Sequence, residues 1–146
     1  MGLRPALITF ICDFLKGALP VFITIQLFPE KQIYIILVAI SCILGHTFSI
    51  FLKFKGGKGV ATGSGVLFVI MPKIFIIAVI VFAIVVFVSK LVSLGSITSA
   101  LTVVVLVWLF SKKIYLNIFF TVICYIIIYK HIPNIKRIIQ GKELKI

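Results

Sequence analysis

Long apolar runs parted by brief polar interruptions set the pattern of this chain. The first run covers residues 5–28, with Asp13 and Lys16 embedded in it and Pro20 near its middle. Residues 33–52 contain no Asp, Glu, Lys or Arg. Residues 60–72 form a short run, Gly-rich at its start, that closes on Met71-Pro72. Runs at 74–89, 91–111 and 114–129 follow, separated by Lys90 and by Lys112-Lys113. A helix needs about twenty apolar residues to cross the hydrocarbon core of a bilayer. Two runs meet that length outright, and 74–89 and 114–129 meet it if their flanking lysines snorkel. The 60–72 run is too short for a standard span and predicts a tilted or broken helix. The pattern therefore predicts an all-α integral membrane protein of about six transmembrane or re-entrant helices. With no internal repeat and no low-complexity linker, it reads as one multi-pass domain over 1–146.

Six segments put both termini on one side of the membrane. Beside them fall Arg4, Lys53, Lys55, Lys58, Lys90, Lys130, Lys136, Arg137, Lys142 and Lys145, ten basic residues. Only four, Lys31, Lys73, Lys112 and Lys113, fall on the other side. The richer side is expected to be cytoplasmic.

Composition supports the bilayer as solvent. Apolar types are 62% of the 146 residues, against about 45–50% in soluble proteins. Fifteen Lys and Arg face only Asp13, Glu30 and Glu143, a net charge of +12. Such an excess suits nucleic acid, anionic headgroups or a phosphate-bearing substrate, and this hydropathy disfavours nucleic acid. Cys12, Cys42 and Cys124 lie in apolar stretches without C-x-x-C spacing, as packing thiols do. Asp13 and Lys16 interrupt the first run, so it does not read as a cleavable signal. Met1-Gly2 does not open a myristoylation signal, because Ala6 stands where Ser or Thr is needed.

The densest chemistry is Gly45-His46 followed by Lys53-Phe54-Lys55-Gly56-Gly57-Lys58-Gly59-Val60-Ala61-Thr62. Glycines around a lysine let backbone N–H groups converge on an anion, and a following helix adds its positive end. A flexible basic turn at the membrane surface is the plainer reading. The segment is not a Walker A loop, since Gly59 replaces the Ser or Thr after the lysine. Asp13 and Lys16 share a helix face and either pair with each other or send Lys16 toward the loop. Ser93 and Ser96 either cap the helix that begins after Lys90 or donate to a phosphate. His131 and Asn134 stand where the last run ends, among Lys130, Lys136 and Arg137 and beside a turn fixed by Pro133. Two histidines without nearby carboxylates predict no metal site, and no G-x-S-x-G elbow or triad predicts a covalent acyl-enzyme.

Together these segments resemble the bacterial acyl-phosphate:glycerol-3-phosphate acyltransferases of the PlsY family over nearly the whole chain. Asp13-Phe14-Leu15-Lys16-Gly17 with Pro20 looks like the family's Asp-x-x-Lys-Gly helix. Gly45-His46 through Thr62 is similar to its second motif, and Val92-Ser93-Leu94-Gly95-Ser96 to its third-motif serines. His131, Asn134, Ile135, Arg137, Gly141 and Glu143 match its C-terminal signature. The family pattern opens with another membrane helix and a first motif of Gly-Ser-x-Asn, Gly-Ala-Thr-Asn and Arg. Met1-Gly2-Leu3-Arg4 aligns with only the end of that motif.

The resemblance implies transfer of a fatty acyl group from acyl-phosphate to the 1-hydroxyl of glycerol-3-phosphate, forming lysophosphatidate for phospholipid synthesis. It implies no cofactor and no metal, and a multi-pass protein of the bacterial inner membrane with its active site on the cytoplasmic face. Lys58, Ser96, His131 and Asn134 would be catalytic. Arg4, Lys16, His46, Gly56, Gly57, Gly59, Thr62 and Ser93 would bind substrate. Either His131 or the donor's own phosphate would take the glycerol proton. The rival readings are a small phosphate or organic-anion carrier and an inactive truncated homologue.

Overall fold

The computed structural model describes residues 3–50, 53 and 56–146. Met1-Gly2 and the Phe54-Lys55 part of the basic loop lie outside the described residues, as do Phe51 and Leu52 at the end of the second apolar run. Every regular element among the described residues is a helix: α1 (Leu3–Leu27), α2 (Gln32–Thr47), α3 (Val60–Ile70), α4 (Pro72–Ser89), α5 (Val92–Phe110), α6 (Ile114–Lys130) and α7 (Ile132–Ile139). The chain divides into two compact units, Met1–Pro72 and Lys73–Ile146.

The outward faces are apolar. Phe87, Val88, Leu109 and Phe110 are 75%, 76%, 70% and 72% exposed. In water such faces would collapse; against lipid they are the solvated surface. Among the described residues, α1 from Arg4, α4 and α5 are long and apolar enough to cross a membrane. The pair α6 and α7, bent by 54°, adds a fourth candidate. α2 and α3 are apolar but shorter. Several hydroxyls within these helices bond back to the preceding turn, as in Thr24 to the Pro20 carbonyl (2.8 Å) and Ser41 to that of Leu37 (2.8 Å). Such bonds satisfy a donor where no water is present.

In the first unit α3 packs chiefly on α1, and α2 lines both. The contact depends on two glycines. A Cβ on Gly17 would overlap the Thr62 carbonyl, and one on Gly65 would overlap that of Phe14. Small residues let the two backbones meet where lipid supplies no hydrophobic drive. The Phe14 and Phe68 rings close the seam at 5.8 Å. On α2 the buried stripe is Ile35, Ala39, Ile43 and Thr47, one residue per turn.

In the second unit α5 and α6 form a hairpin around Val103, Val107, Phe119, Phe120 and Ile123. Gly95 lets α5 approach Phe82 and Val86 of α4. The expected turn after α6 is more than a turn. His131 breaks the helix, and Pro133 falls in the first positions of α7, where its missing N–H costs no bond. α7 closes on Gly141 (φ +67°), with the Lys142 amide bonded to the Arg137 carbonyl at 2.8 Å. The tail continues until the Ile146 amide bonds to the Lys90 carbonyl (3.0 Å).

Candidate active site

The glycine loop closes the carboxyl end of α2. The Gly57 amide donates to the His46 carbonyl at 3.2 Å, one of the acceptors a helix leaves unsatisfied in its last turn. A Cβ on Gly56 would overlap that same carbonyl, and one on Gly57 would overlap the His46 ring at Nε2. Gly59 has φ +79°, and its added Cβ would meet Thr47 Oγ1 at 3.0 Å. The three glycines thus have a packing reason as well as the anion-binding one read from sequence. Beyond Gly59 the chain enters α3, whose first-turn N–H groups have no intrahelical acceptor. Thr62 stands in that turn, fully buried, with its hydroxyl oxygen unpartnered among the described residues. A buried polar atom left in this way is unusual. Lys58 is exposed on the loop.

Asp13 of α1 faces this end of α2. Its Oδ1 accepts from Lys16 Nζ at 2.9 Å and lies 3.5 Å from His46 Nδ1. Of the two readings for Lys16, pairing with Asp13 is the one observed. Arg4 is exposed in the first turn of α1.

The second unit holds another polar cluster. Ser93, Ser96, His131 and Asn134 are all buried. Neither serine caps α5: Leu91 is at the cap position, with no side-chain cap bond. Ser96 Oγ bonds the Val92 carbonyl (3.0 Å), and Ser93 Oγ donates to Glu143 Oε1 (2.7 Å). Asn134 Nδ2 donates to the same carboxylate oxygen, and Arg137 Nε to Oε2 at 2.6 Å. These donors hold the Glu143 carboxyl down to about 2, the Asn134 bond contributing most. His131 Nδ1 lies 2.7 Å from the Ile127 carbonyl. A carbonyl only accepts, so Nδ1 carries a proton toward it.

One role escaped the sequence reading. Glu143 was matched to a signature but given no function, yet it gathers Ser93, Asn134 and Arg137. His46 was expected to bind substrate; in the structure its ring lies between the Asp13 carboxylate and Gly57. Among the described residues no group of three or more His, Cys, Asp or Glu could hold a metal ion.

Residues 1–141 match the family model described as glycerol-3-phosphate acyltransferase. A glycerol-3-phosphate acyltransferase of Campylobacter concisus (strain 13826) is 38% identical over 144 residues, covering 97% of this chain and 70% of that relative. Another from Endomicrobium trichonymphae is 40% identical, covering 100% and 73%. Among solved structures, the glycerol 3-phosphate form of PlsY (YgiH), an integral membrane glycerol 3-phosphate acyltransferase, superposes with a TM-score of 0.95 at 31% identity. It covers all of this chain and 73% of that one. The lysophosphatidic acid form of the same protein gives 0.91, also at 31% identity.

Proposed function

Because the chain belongs to the glycerol-3-phosphate acyltransferase family, whose reaction acylates glycerol-3-phosphate in phospholipid synthesis, we propose that its acyl donor is an acyl-phosphate and that its glycine loop and polar helix ends carry the transfer. The observation that bears most weight is the opening of α3. There a basic glycine loop, a helix amino end and the buried Thr62 hydroxyl, unpartnered among the described residues, adjoin one another. That is a recipe for holding a phosphate. Both proposed substrates carry one, which gives the excess of basic residues a use.

The 1-hydroxyl oxygen of glycerol-3-phosphate attacks the acyl carbonyl carbon. The carbon–oxygen bond to phosphate breaks, and inorganic phosphate leaves with the electron pair. The hydroxyl proton goes either to His131 Nε2 or to the departing phosphate. An acyl-phosphate is already activated, so the protein's contribution is positioning and charge neutralisation. Lys58, Ser96, His131 and Asn134 serve the reacting centre. Arg4, Lys16, Gly56, Gly57, Gly59, Thr62 and Ser93 hold substrate. The charge distribution supports an inner-membrane protein with this chemistry on the cytoplasmic face. A carrier would need access from both sides, whereas the candidate groups all belong to the basic side.

The test is acyl transfer by the purified, detergent-solubilised chain given radiolabelled glycerol-3-phosphate, with palmitoyl-phosphate in one tube and palmitoyl-CoA in another. Labelled lysophosphatidate from the phosphate donor alone is the expected result. Product from the CoA donor alone would overturn the donor assignment.

A further inference from the structure

We infer that Asp13 and His46 form a positioning pair that holds the glycine loop from behind, and that neither side chain touches substrate. The helical hairpin itself brings them level. Asp13 lies fourteen residues before the end of α1 at Leu27, and His46 fourteen residues after the start of α2 at Gln32. Antiparallel helices of equal rise put such residues opposite each other. The carboxylate and the imidazole are both largely buried, with side chains 16% and 15% exposed and 3.5 Å between Oδ1 and Nδ1. Lys16, 63% exposed, takes the outer side of the same carboxylate oxygen at 2.9 Å.

A carboxylate inside an apolar helix is costly unless compensated. Pairing with Lys16 compensates it, and the charged cluster then fixes the His46 ring. The opposite edge of the ring, Nε2, packs on the α-carbon of Gly57, where no side chain fits. The backbone of His46 receives the Gly57 amide at 3.2 Å. One residue therefore holds the loop through both its carbonyl and its ring, and Asp13 fixes the rotamer of that ring. Orientation of a functional group by a carboxylate behind a histidine is the same physical device that orders metal-ligating rings.

The kinetic consequence rests on the phosphate-holding reading of the loop, so the test has two separate readouts. In hydrogen–deuterium exchange of the 146-residue chain in detergent, Asp13→Asn and His46→Ala should each speed exchange across residues 56–59 by about tenfold, the worth of one hydrogen bond. Exchange in the α5–α6 hairpin should not change. In acyl-transfer assays both variants should raise KM for one phosphate-bearing substrate about tenfold and keep kcat within about threefold. His46→Asn, whose Nδ2 falls where Nδ1 was, should recover most of the loss. The double variant should be no worse than the worse single one. Unaltered exchange across 56–59 in Asp13→Asn overturns the pair's role whatever the kinetics. A fall in kcat at constant KM also overturns it, because it would put the pair in the chemistry. A wild-type chain inactive with both donors would count against acyl transfer by this chain alone and not against its family, and the exchange measurement would still judge the pair.

Discussion

Glu143 accepts hydrogen bonds from side chains on α5 and α7, so its charge state should govern how firmly the tail is held. Its value of about 2 lies below the ordinary 4.5. A carboxylate depressed in the folded state adds stability that is fully present above the unfolded value and is lost as pH falls through the folded one. Thermal unfolding followed by scanning fluorimetry should therefore show no contribution from Glu143 between pH 7 and 5. The midpoint should fall between about pH 4.5 and 2, and Glu143→Gln should flatten that fall. His131 is 1% exposed, with Nδ1 committed to a carbonyl. If Nε2 is the base, His131→Ala should lower kcat by about a hundredfold or more, the usual worth of a positioned base. A loss under tenfold would assign the proton to the donor phosphate. His131 and Asn134 were legible as candidates because polar residues at the end of an apolar run stand out. Glu143 was not, because an isolated carboxylate in a polar tail gives no sign of what it will meet nine residues back.

The helices were legible from the runs, except that the 33–52 run gives a helix ending at Thr47, short of a standard span; other ends followed Pro72, Lys90 and Lys112-Lys113 closely. What could not be read was which glycines face a neighbouring backbone, since spacing along one helix says nothing of the depth at which another crosses it. That difference is measurable. Gly65 of α3 abuts the Phe14 carbonyl, whereas an added Cβ on Gly45 of α2 meets nothing within 4 Å. Gly65→Ala should destabilise the protein by about 1–3 kcal/mol, the usual cost of overpacking. Gly45→Ala should be neutral or stabilising by up to about 1 kcal/mol, because alanine is the better helix former. Unfolding midpoints of the two variants in one detergent would compare them directly. α7 was also hidden: eight residues with Pro133 among them give too short a pattern to separate a helix from a turn.

Whether α3 crosses the membrane decides the arrangement of every later segment. At eleven residues and about 1.5 Å per residue it is roughly half the length that a standard span needs. It packs against α1 and α2, so protein can shield it where the bilayer would have to thin. Charge favours a crossing. With six crossings the basic residues outside the spans divide ten against four, as in the sequence pattern. If α3 instead turned back, Lys73, Lys112 and Lys113 would join Arg4, Lys53, Lys55 and Lys58, leaving Lys31, Lys90, Lys130, Lys136, Arg137, Lys142 and Lys145 opposite. That is seven against seven, with no bias to orient the chain. Single cysteines at positions 31, 53, 73, 112 and 142 of a cysteine-free background, probed in intact cells with a membrane-impermeant maleimide, would test this. Labelling at 31, 73 and 112 with protection at 53 and 142 is the expected pattern. Labelling at 31 and 142 with protection at 53, 73 and 112 would make α3 re-entrant.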